Sequence, residues 1–126
     1  MTDAPVTLYQ AMPYLRLYKG KTFVVKAGGA VLAREDLRAG LAADIACLHL
    51  FGIRGVLVHG GGPQATSISK ALGLETKFIA GRRITDAQTL EVVKMTCGGG
   101  VNMDLVAALR GQGVKALGLS GVDAGL

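Results

Sequence analysis

The chain has 126 residues, enough for one domain, because a chain of this size buries roughly two thirds of the surface that its unfolded form exposes. Half of the residues are hydrophobic and nineteen are glycine, which excludes disordered and low-complexity classes. The net charge of +5 comes from scattered Lys and Arg, and three Phe, three Tyr and no Trp offer few surfaces for base stacking, so a small anionic ligand is favoured over nucleic acid.

Three further features narrow the class of protein. No apolar run reaches the about 18 residues of a membrane span, since Asp44, His49 and Arg54 interrupt the longest candidate. The first five residues carry an acid and no basic region, which argues against a secretory signal, and we expect a cytoplasmic protein. Cys47 and Cys97 lie far apart with no histidine cluster, so we expect neither a disulfide framework nor a metal site but two small buried side chains.

The chain begins with a segment, residues 1–20, in which Leu8, Met12 and Leu15 are spaced for one face of a short helix. We expect this helix to start near Val6 and to kink at Pro13.

Residues 22–27, Thr-Phe-Val-Val-Lys-Ala, predict a buried first strand that leads directly into Gly28 and Gly29. Lys26 is unusual at the end of such a strand. It indicates either a functional cation or a lysine whose stem lies along apolar surface. An amphipathic helix over residues 36–51 follows, with these residues on its apolar face: Leu37, Leu41, Ile45 and Leu48.

Residues 56–64, Val-Leu-Val-His-Gly-Gly-Gly-Pro-Gln, predict a second strand, a glycine loop and the start of a helix. Residues without Cβ let backbone N–H groups approach an anion closely, and the positive end of a helix favours negative charge there. A tight strand-to-helix turn would also explain the glycines, so the loop alone leaves both interpretations open. The strand–helix–strand order implies a right-handed crossover onto a parallel sheet.

Thr85 and Gln88 are spaced as a capping box, which predicts a helix starting at Thr85. Three of its residues should point inward: Leu90, Val93 and Cys97. Glycines at positions 98–100 each cost a helix about 1 kcal/mol relative to Ala, so we expect two helices meeting near Val101 rather than one rod.

Residues 115–119 predict a third strand after a helix over residues 102–110. Strands alternating with helices indicate the α/β class, with an open, mainly parallel sheet sandwiched between helices.

Loops at the carboxyl ends of parallel strands line one crevice. Lys26 with Gly28 and Gly29 follows the first strand, and the loop at 59–64 follows the second. Arg83 lies in a turn before a capped helix. Such a set suits a ligand with a carboxylate and a phosphoryl group, because Arg binds carboxylate in a bidentate manner and Lys acts as a point charge on phosphate.

Seven different motifs occur once each along the chain: Met12-Pro13-Tyr14, Gly20-Lys21-Thr22, Lys26-x-Gly28-Gly29, Val58-His59-Gly60-Gly61-Gly62-Pro63-Gln64, Gly81-x-Arg83-Ile84-Thr85-Asp86, Val101-Asn102 and Gly118-Leu119-Ser120-Gly121-x-Asp123. In this order and spacing they resemble the amino-acid kinases, and within them the N-acetylglutamate kinases. The resemblance covers nearly the whole chain from Leu8 onward.

This resemblance implies phosphoryl transfer from ATP, with Mg²⁺, to the side-chain carboxylate of N-acetyl-L-glutamate in arginine biosynthesis. It also implies a site made of catalytic Lys26 and Gly29, a phosphate loop with Gly28 and Gly60, and substrate-binding Gly61, Gly62 and Arg83. Departures from the family pattern are Ala27, expected to leave room beside the site, and Gly100 and Met103, which stand where the family commonly has lysines.

Residues 21–126 resemble only the amino-terminal, substrate-binding and dimer-forming lobe of these kinases, without the ATP-binding lobe. We therefore expect this chain alone to be inactive and to form a homodimer or to pair with a full-length kinase. A non-catalytic half-kinase that binds N-acetylglutamate, or that regulates a kinase by dimerising with it, is the alternative. A plain Rossmann-type nucleotide binder is disfavoured, because the loop lacks G-x-G-x-x-G spacing.

Overall fold

A computed structural model of the chain describes residues 7–125. The segment on which the prediction about a secretory signal depends, and the expected helix start at Val6, lie outside the described residues. In chain order the elements are α1 (Leu8–Tyr18), β1 (Thr22–Ala27), α2 (Gly29–Leu32), α3 (Glu35–Leu50), β2 (Arg54–His59), α4 (Gly62–Ala71), β3 (Phe78–Ile79), β4 (Arg82–Arg83), α5 (Ala87–Val93), a π-helical segment (Lys94–Val101), α6 (Asn102–Gly111) and a short 3₁₀ turn (Asp123–Gly125).

Strands β1 and β2 pair in parallel, with Val24 opposite Val56 and Ala27 opposite His59. This pairing confirms the parallel sheet expected from the strand–helix–strand order. Strands β3 and β4 form a separate antiparallel hairpin. Because their carboxyl ends lie side by side, β1 and β2 deliver their two glycine loops to the same end of the sheet.

The third strand predicted at 115–119 is wrong. Burial alternates along residues 114–120, as in an extended chain, but this segment joins no ladder. A cavity of about 610 Å³ is lined both by part of this segment and by β2. An extended segment becomes a strand only when a neighbour accepts and donates its backbone hydrogen bonds.

The core lies between one face of the β1–β2 sheet and the helices, which confirms the α/β class. One cluster joins β1 to α2 and α6 through Ala27, Leu32, Val101 and Leu105, and a second joins α3 to α6 through Ala42, Ile45 and Leu109. Ala27 is therefore a core residue and leaves no room beside the site, contrary to the expectation.

The opposite face of the sheet is exposed to solvent in the described residues. Val24, Val56 and Val58 are 70%, 48% and 50% exposed, although a continuous apolar run is typical of a strand buried on both faces. The described helices thus supply one of the two layers that the sequence pattern favours.

The glycines at 98–100 do not break the helix that follows the hairpin. Backbone torsions stay helical on both sides, at Val93 and at Asn102, while residues 94–101 widen into a π-helix. The expectation of two separate helices is wrong, because residues without Cβ tolerate the wider turn. The Thr96 hydroxyl donates to Val92 O at 2.7 Å within this stretch.

The cap of α5 is Asp86, whose carboxylate accepts from Thr89 N at 2.8 Å, and the predicted Thr85 start is therefore one residue early. The inward face shifts with it. Thr89, Val92 and Thr96 are buried, whereas Leu90 is 44% exposed. Cys47 is also exposed, contrary to expectation, and Cys97 is half-buried. Within residues 7–125 no helix has both the length and the apolar character that a membrane crossing requires.

Candidate functional site

Two glycine loops meet at the carboxyl end of the sheet. Gly60 N donates to Ala27 O at 3.1 Å, and the Gln64 side-chain amide Nε2 donates to Gly29 O at 3.0 Å. These bonds hold the loop after β1 against the loop after β2. The strand order predicts both loops at one end of the sheet, but no role was predicted for Gln64.

Close packing explains two of these glycines. A Cβ on Gly29 would lie 2.7 Å from Pro63 Cδ and 3.2 Å from Gly62 N, and a Cβ on Gly61 would lie 2.8 Å from Cys97 Sγ. None of the loop glycines at 28, 29, 60, 61 and 62 has a positive φ. A left-handed turn is therefore not the reason for glycine here.

Gly28 and Gly62 need a different explanation, because a Cβ on either would meet nothing within 4 Å. Both lie where a helix begins, Gly28 as the residue before α2 and Gly62 as the first residue of α4. No side chain of the described residues caps either helix. Open space beside uncapped N–H groups is what a bound anion requires.

The first turn of α4 carries the stronger positive end, since α4 has ten residues and α2 has four. Ala65 N is satisfied within the helix by Gly61 O at 2.8 Å. Pro63 has no N–H to satisfy and is favoured in this first turn. Gly62 N and Gln64 N therefore remain as the first-turn donors.

Arg83, in β4, reaches the start of α4 from the hairpin. Its Nη2 donates to Gly62 O at 3.0 Å and to Thr66 Oγ1 at 2.7 Å, and its guanidinium lies 5.0 Å from the centre of the Phe78 ring. Its other terminal nitrogen, Nη1, is buried and has no hydrogen-bond partner among the described residues. A buried donor without an acceptor is costly, so this atom favours a ligand acceptor such as a carboxylate oxygen.

Thr66 is a site residue that was not predicted from the sequence. Its hydroxyl donates to Gly62 O at 3.0 Å while accepting from Arg83, and so joins the helix start to the guanidinium. The available signal is its position four residues after Gly62, which places both on one face of a helix.

Lys26 lies on the exposed face of the sheet, opposite Val58 in the register. Among the described residues it forms neither an ion pair nor a side-chain hydrogen bond. The structure thus brings the glycines and Arg83 together, and it places Lys26 at the carboxyl end of β1 with its ammonium free.

Acidic groups contribute little at this corner. The backbone N–H of Thr89 holds the pKa of Asp86 below its usual value, with a smaller contribution from the Thr89 hydroxyl. This carboxylate is occupied as a helix cap. In the part of the chain that the structure describes, no three His, Cys, Asp or Glu side chains lie close enough to hold a metal ion.

The comparisons with known proteins agree on one family. The model of the amino acid kinase family matches residues 21–126. Acetylglutamate kinase of Symbiobacterium thermophilum is 45% identical over 124 residues, and that of Leptospira biflexa is 49% identical over 119 residues. These alignments cover 98% and 94% of this chain but only 42% and 41% of the two kinases. The chain thus spans about two fifths of the length of these relatives.

The solved structures point the same way. N-acetylglutamate synthase from Neisseria gonorrhoeae, complexed with coenzyme A and N-acetyl-glutamate, superposes with a TM-score of 0.73 at 33% identity. It covers 86% of this chain, which in turn covers 25% of the synthase chain. With a family model that takes in nearly everything after α1, and with kinase relatives at this level of identity, the chain belongs to the amino acid kinase family.

Proposed function

We propose that residues 21–126 are the substrate-binding and dimer-forming lobe of an N-acetylglutamate kinase, a cytoplasmic enzyme of arginine biosynthesis. The acetylglutamate kinase relatives and a synthase structure solved with N-acetyl-glutamate support this substrate. Residues 1–20 form a separate N-terminal helical segment in this proposal.

One observation carries the proposal: the buried Nη1 of Arg83 has no partner beside the uncapped start of α4. A substrate carboxylate accepts from this nitrogen, and the backbone N–H groups of Gly61 and Gly62 hold the substrate from the loop. Charge-assisted hydrogen bonds of this kind are stronger than neutral ones and fix orientation. Gly28 and Gly60 contribute backbone to a phosphate loop on the other side of the contact.

The chemistry needs little from the protein besides position and charge. The side-chain carboxylate of N-acetyl-L-glutamate is already ionised near pH 7, so no general base is required. One of its oxygens forms a bond to the γ-phosphorus of ATP while the bond from that phosphorus to the ADP oxygen breaks, which gives an acyl phosphate and ADP. Lys26 and the Gly29 N–H neutralise charge on the phosphoryl group in flight.

ATP and Mg²⁺ belong to the complete enzyme in this proposal. The described residues offer backbone donors and cations for phosphate oxygens but no acidic cluster for a metal ion. Carried by the ATP phosphates, Mg²⁺ would supply positive charge that offsets part of theirs. Residues 21–126 correspond to about two fifths of the length of the kinase relatives, and we expect them to give no turnover by themselves.

A second function has an observation of its own. The contacts among Gly29, Gly62, Thr66 and Arg83 are all made within this chain. The chain can therefore bind N-acetylglutamate without catalysing a reaction. It then acts as a regulatory half-kinase that forms a homodimer or pairs with a full-length kinase.

Calorimetric titration with N-acetyl-L-glutamate tests the binding site. We expect saturable binding by the chain, and loss of that binding in Arg83→Ala. Arg82→Ala is the matched control, because Arg82 is exposed on the neighbouring position of β4. Equal affinity in the chain and in Arg83→Ala would contradict the site.

Complementation separates the two functions. The chain is mixed with the remainder of the Symbiobacterium thermophilum kinase, and formation of acyl phosphate is trapped with hydroxylamine. Turnover in the mixture, with none from either part, supports the kinase. Substrate binding without turnover supports the regulatory half-kinase instead.

A further inference from the structure

The hydroxyl of Thr66 can accept a hydrogen bond from Arg83 because its own hydrogen is already used. Thr66 lies one turn after Gly62 in α4, and its hydroxyl donates to Gly62 O at 3.0 Å. A hydroxyl has one hydrogen and two lone pairs. With the hydrogen held by Gly62 O, the oxygen offers only lone pairs to a further partner, and Arg83 Nη2 donates to it at 2.7 Å.

The branched side chain of Thr66 limits the directions that this hydroxyl can take. Two heavy atoms on Cβ leave few χ1 rotamers in a helix, and the bond to the carbonyl four residues earlier selects one of them. The lone pairs of the Thr66 hydroxyl therefore have a fixed direction relative to the start of α4.

Both hydrogens of Arg83 Nη2 have an acceptor in this arrangement. Gly62 O accepts one at 3.0 Å, and Thr66 Oγ1 accepts the other. Phe78 lies opposite Arg83 in the hairpin, and its ring centre is 5.0 Å from the guanidinium carbon. The other terminal nitrogen, Nη1, is thereby turned into a buried position without an acceptor among the described residues.

Gly62 O and Phe78 do not fix this orientation by themselves. Gly62 O is a single acceptor, about which the guanidinium can pivot. The face of an aromatic ring attracts a cation without selecting one of its nitrogens. A second acceptor on Nη2, one turn further along α4, removes the pivot, and Thr66 is the residue that supplies it.

We propose that Thr66 is a positioning residue for the substrate carboxylate: it holds Nη2 of Arg83, so that Nη1 is the donor that faces the ligand. The identity of the ligand rests on the proposed function, whereas the orientation of Arg83 rests on contacts within the chain. The bond between Thr66 and Arg83 lies at the surface, so its loss should affect ligand affinity far more than the free energy of unfolding.

Calorimetric titration with N-acetyl-L-glutamate tests the hydroxyl. Thr66→Val keeps the branched shape, and we expect its Kd to rise at least about tenfold, because the hydrogen bond that orients a charged group is lost. Thr66→Ser retains a hydroxyl and should restore most of the affinity. Ser67→Ala is the matched control, since it removes an exposed hydroxyl from the neighbouring position of α4 and should leave the Kd unchanged.

NMR of the isotopically labelled Arg83 side chain separates positioning from a general effect on the fold. It reports rotation of the guanidinium about the bond between Nε and Cζ, and it needs no ligand. We expect slow rotation, with distinct Nη1 and Nη2 signals, in the chain and in Thr66→Ser. Thr66→Val should give averaged signals. Distinct signals that persist in Thr66→Val would overturn the inference.

The two monoamides of N-acetyl-L-glutamate, each of which lacks one carboxylate, show whether Thr66 acts through Arg83. Thr66→Val and Arg83→Ala should lower the affinity for the same monoamide and leave that for the other unchanged. An equal loss for both monoamides in Thr66→Val, or an unchanged Kd for N-acetyl-L-glutamate, would overturn the positioning role.

Failure of the proposed function would look different. The chain would then not bind N-acetyl-L-glutamate at all, while the Arg83 signals would still depend on the Thr66 hydroxyl.

Discussion

The corner where the two glycine loops meet Arg83 lies next to the free edge of β2. The two regions differ in how far their polar groups find partners within the described chain. At the corner, Gln64 holds Gly29 and Arg83 holds both Gly62 and Thr66. At the edge, the backbone of Gly55, Leu57 and His59 faces a cavity.

The difference shows how the connections between neighbouring elements decide which polar groups find partners. The corner is assembled from loops that follow two paired strands, so its contacts come from nearby elements. The edge needs a neighbour from elsewhere, because a strand cannot satisfy its own backbone. The corner therefore has its contacts within the chain, whereas the edge keeps unpaired backbone groups among the described residues.

The largest effect on stability should come from the face of the sheet that packs against the helices. Leu105, 3% exposed, packs with Ala27, Leu32 and Val101, and Leu105→Ala should lower the free energy of unfolding by about 2–5 kcal/mol through the cavity it leaves. Leu117→Ala, on the open side, should change it by less than about 0.5 kcal/mol. Urea unfolding followed by circular dichroism measures both. A large loss of unfolding free energy in Leu117→Ala would mean that Leu117 is buried in solution.

A smaller effect should come from the contact between the glycine loops. In Gly29→Ala the new Cβ must displace Pro63 and the Gly62 backbone, which should cost about 1–3 kcal/mol of unfolding free energy. Gly28→Ala is the stability control, since its Cβ would meet nothing within 4 Å. The same urea experiment compares them. Equal stability of the two variants would show that the loops do not touch as described.

The smallest effect concerns the cap of α5 next to the Arg83 hairpin. The bond from Thr89 N lowers the pKa of Asp86 below the usual value of about 3.9, so the carboxylate stabilises the fold above that value and loses this effect as the pH falls through the lower folded-state pKa. Asp86→Ala should lower the melting temperature by a few degrees at pH 7 and by less in acid.

Thermal unfolding between pH 2 and pH 7 measures this difference. Asp86→Asn is the control, because Asn also caps a helix but does not titrate there. A difference between the chain and Asp86→Ala that stays constant through the acid range would contradict the titration of the cap.

Residue patterns predicted the local parts of the fold well. The apolar runs located β1 and β2, and the spacing of Leu41, Ile45 and Leu48 located the inner face of α3, whereas Leu37 of the predicted apolar face is exposed. Patterns failed where a neighbour decides the outcome. Residues 115–119 have the composition of a strand but lack a partner among the described strands, and the glycines at 98–100 lie in a widened helix that does not break.

The site was predictable in its residue types and in part of its arrangement. Glycine loops at the ends of parallel strands have to lie together, so the meeting of Gly29 and Gly62 follows from the strand order. The roles proposed for Lys26 and for the glycines remain predictions. Gln64 and Thr66 were missed because a single amide or hydroxyl carries no pattern until the chain that it bonds to is in place.

The sequence by itself determined the α/β class, the strands β1 and β2, the positions of the glycine loops and the family. These features depend on contacts between residues close in the chain or on motifs read in order. Only the tertiary structure decided that Arg83 leaves Nη1 buried beside α4, that Ala27 is a core residue and that the edge of β2 faces a gap. Each of these depends on which distant groups come within a few ångströms, and no local pattern encodes that.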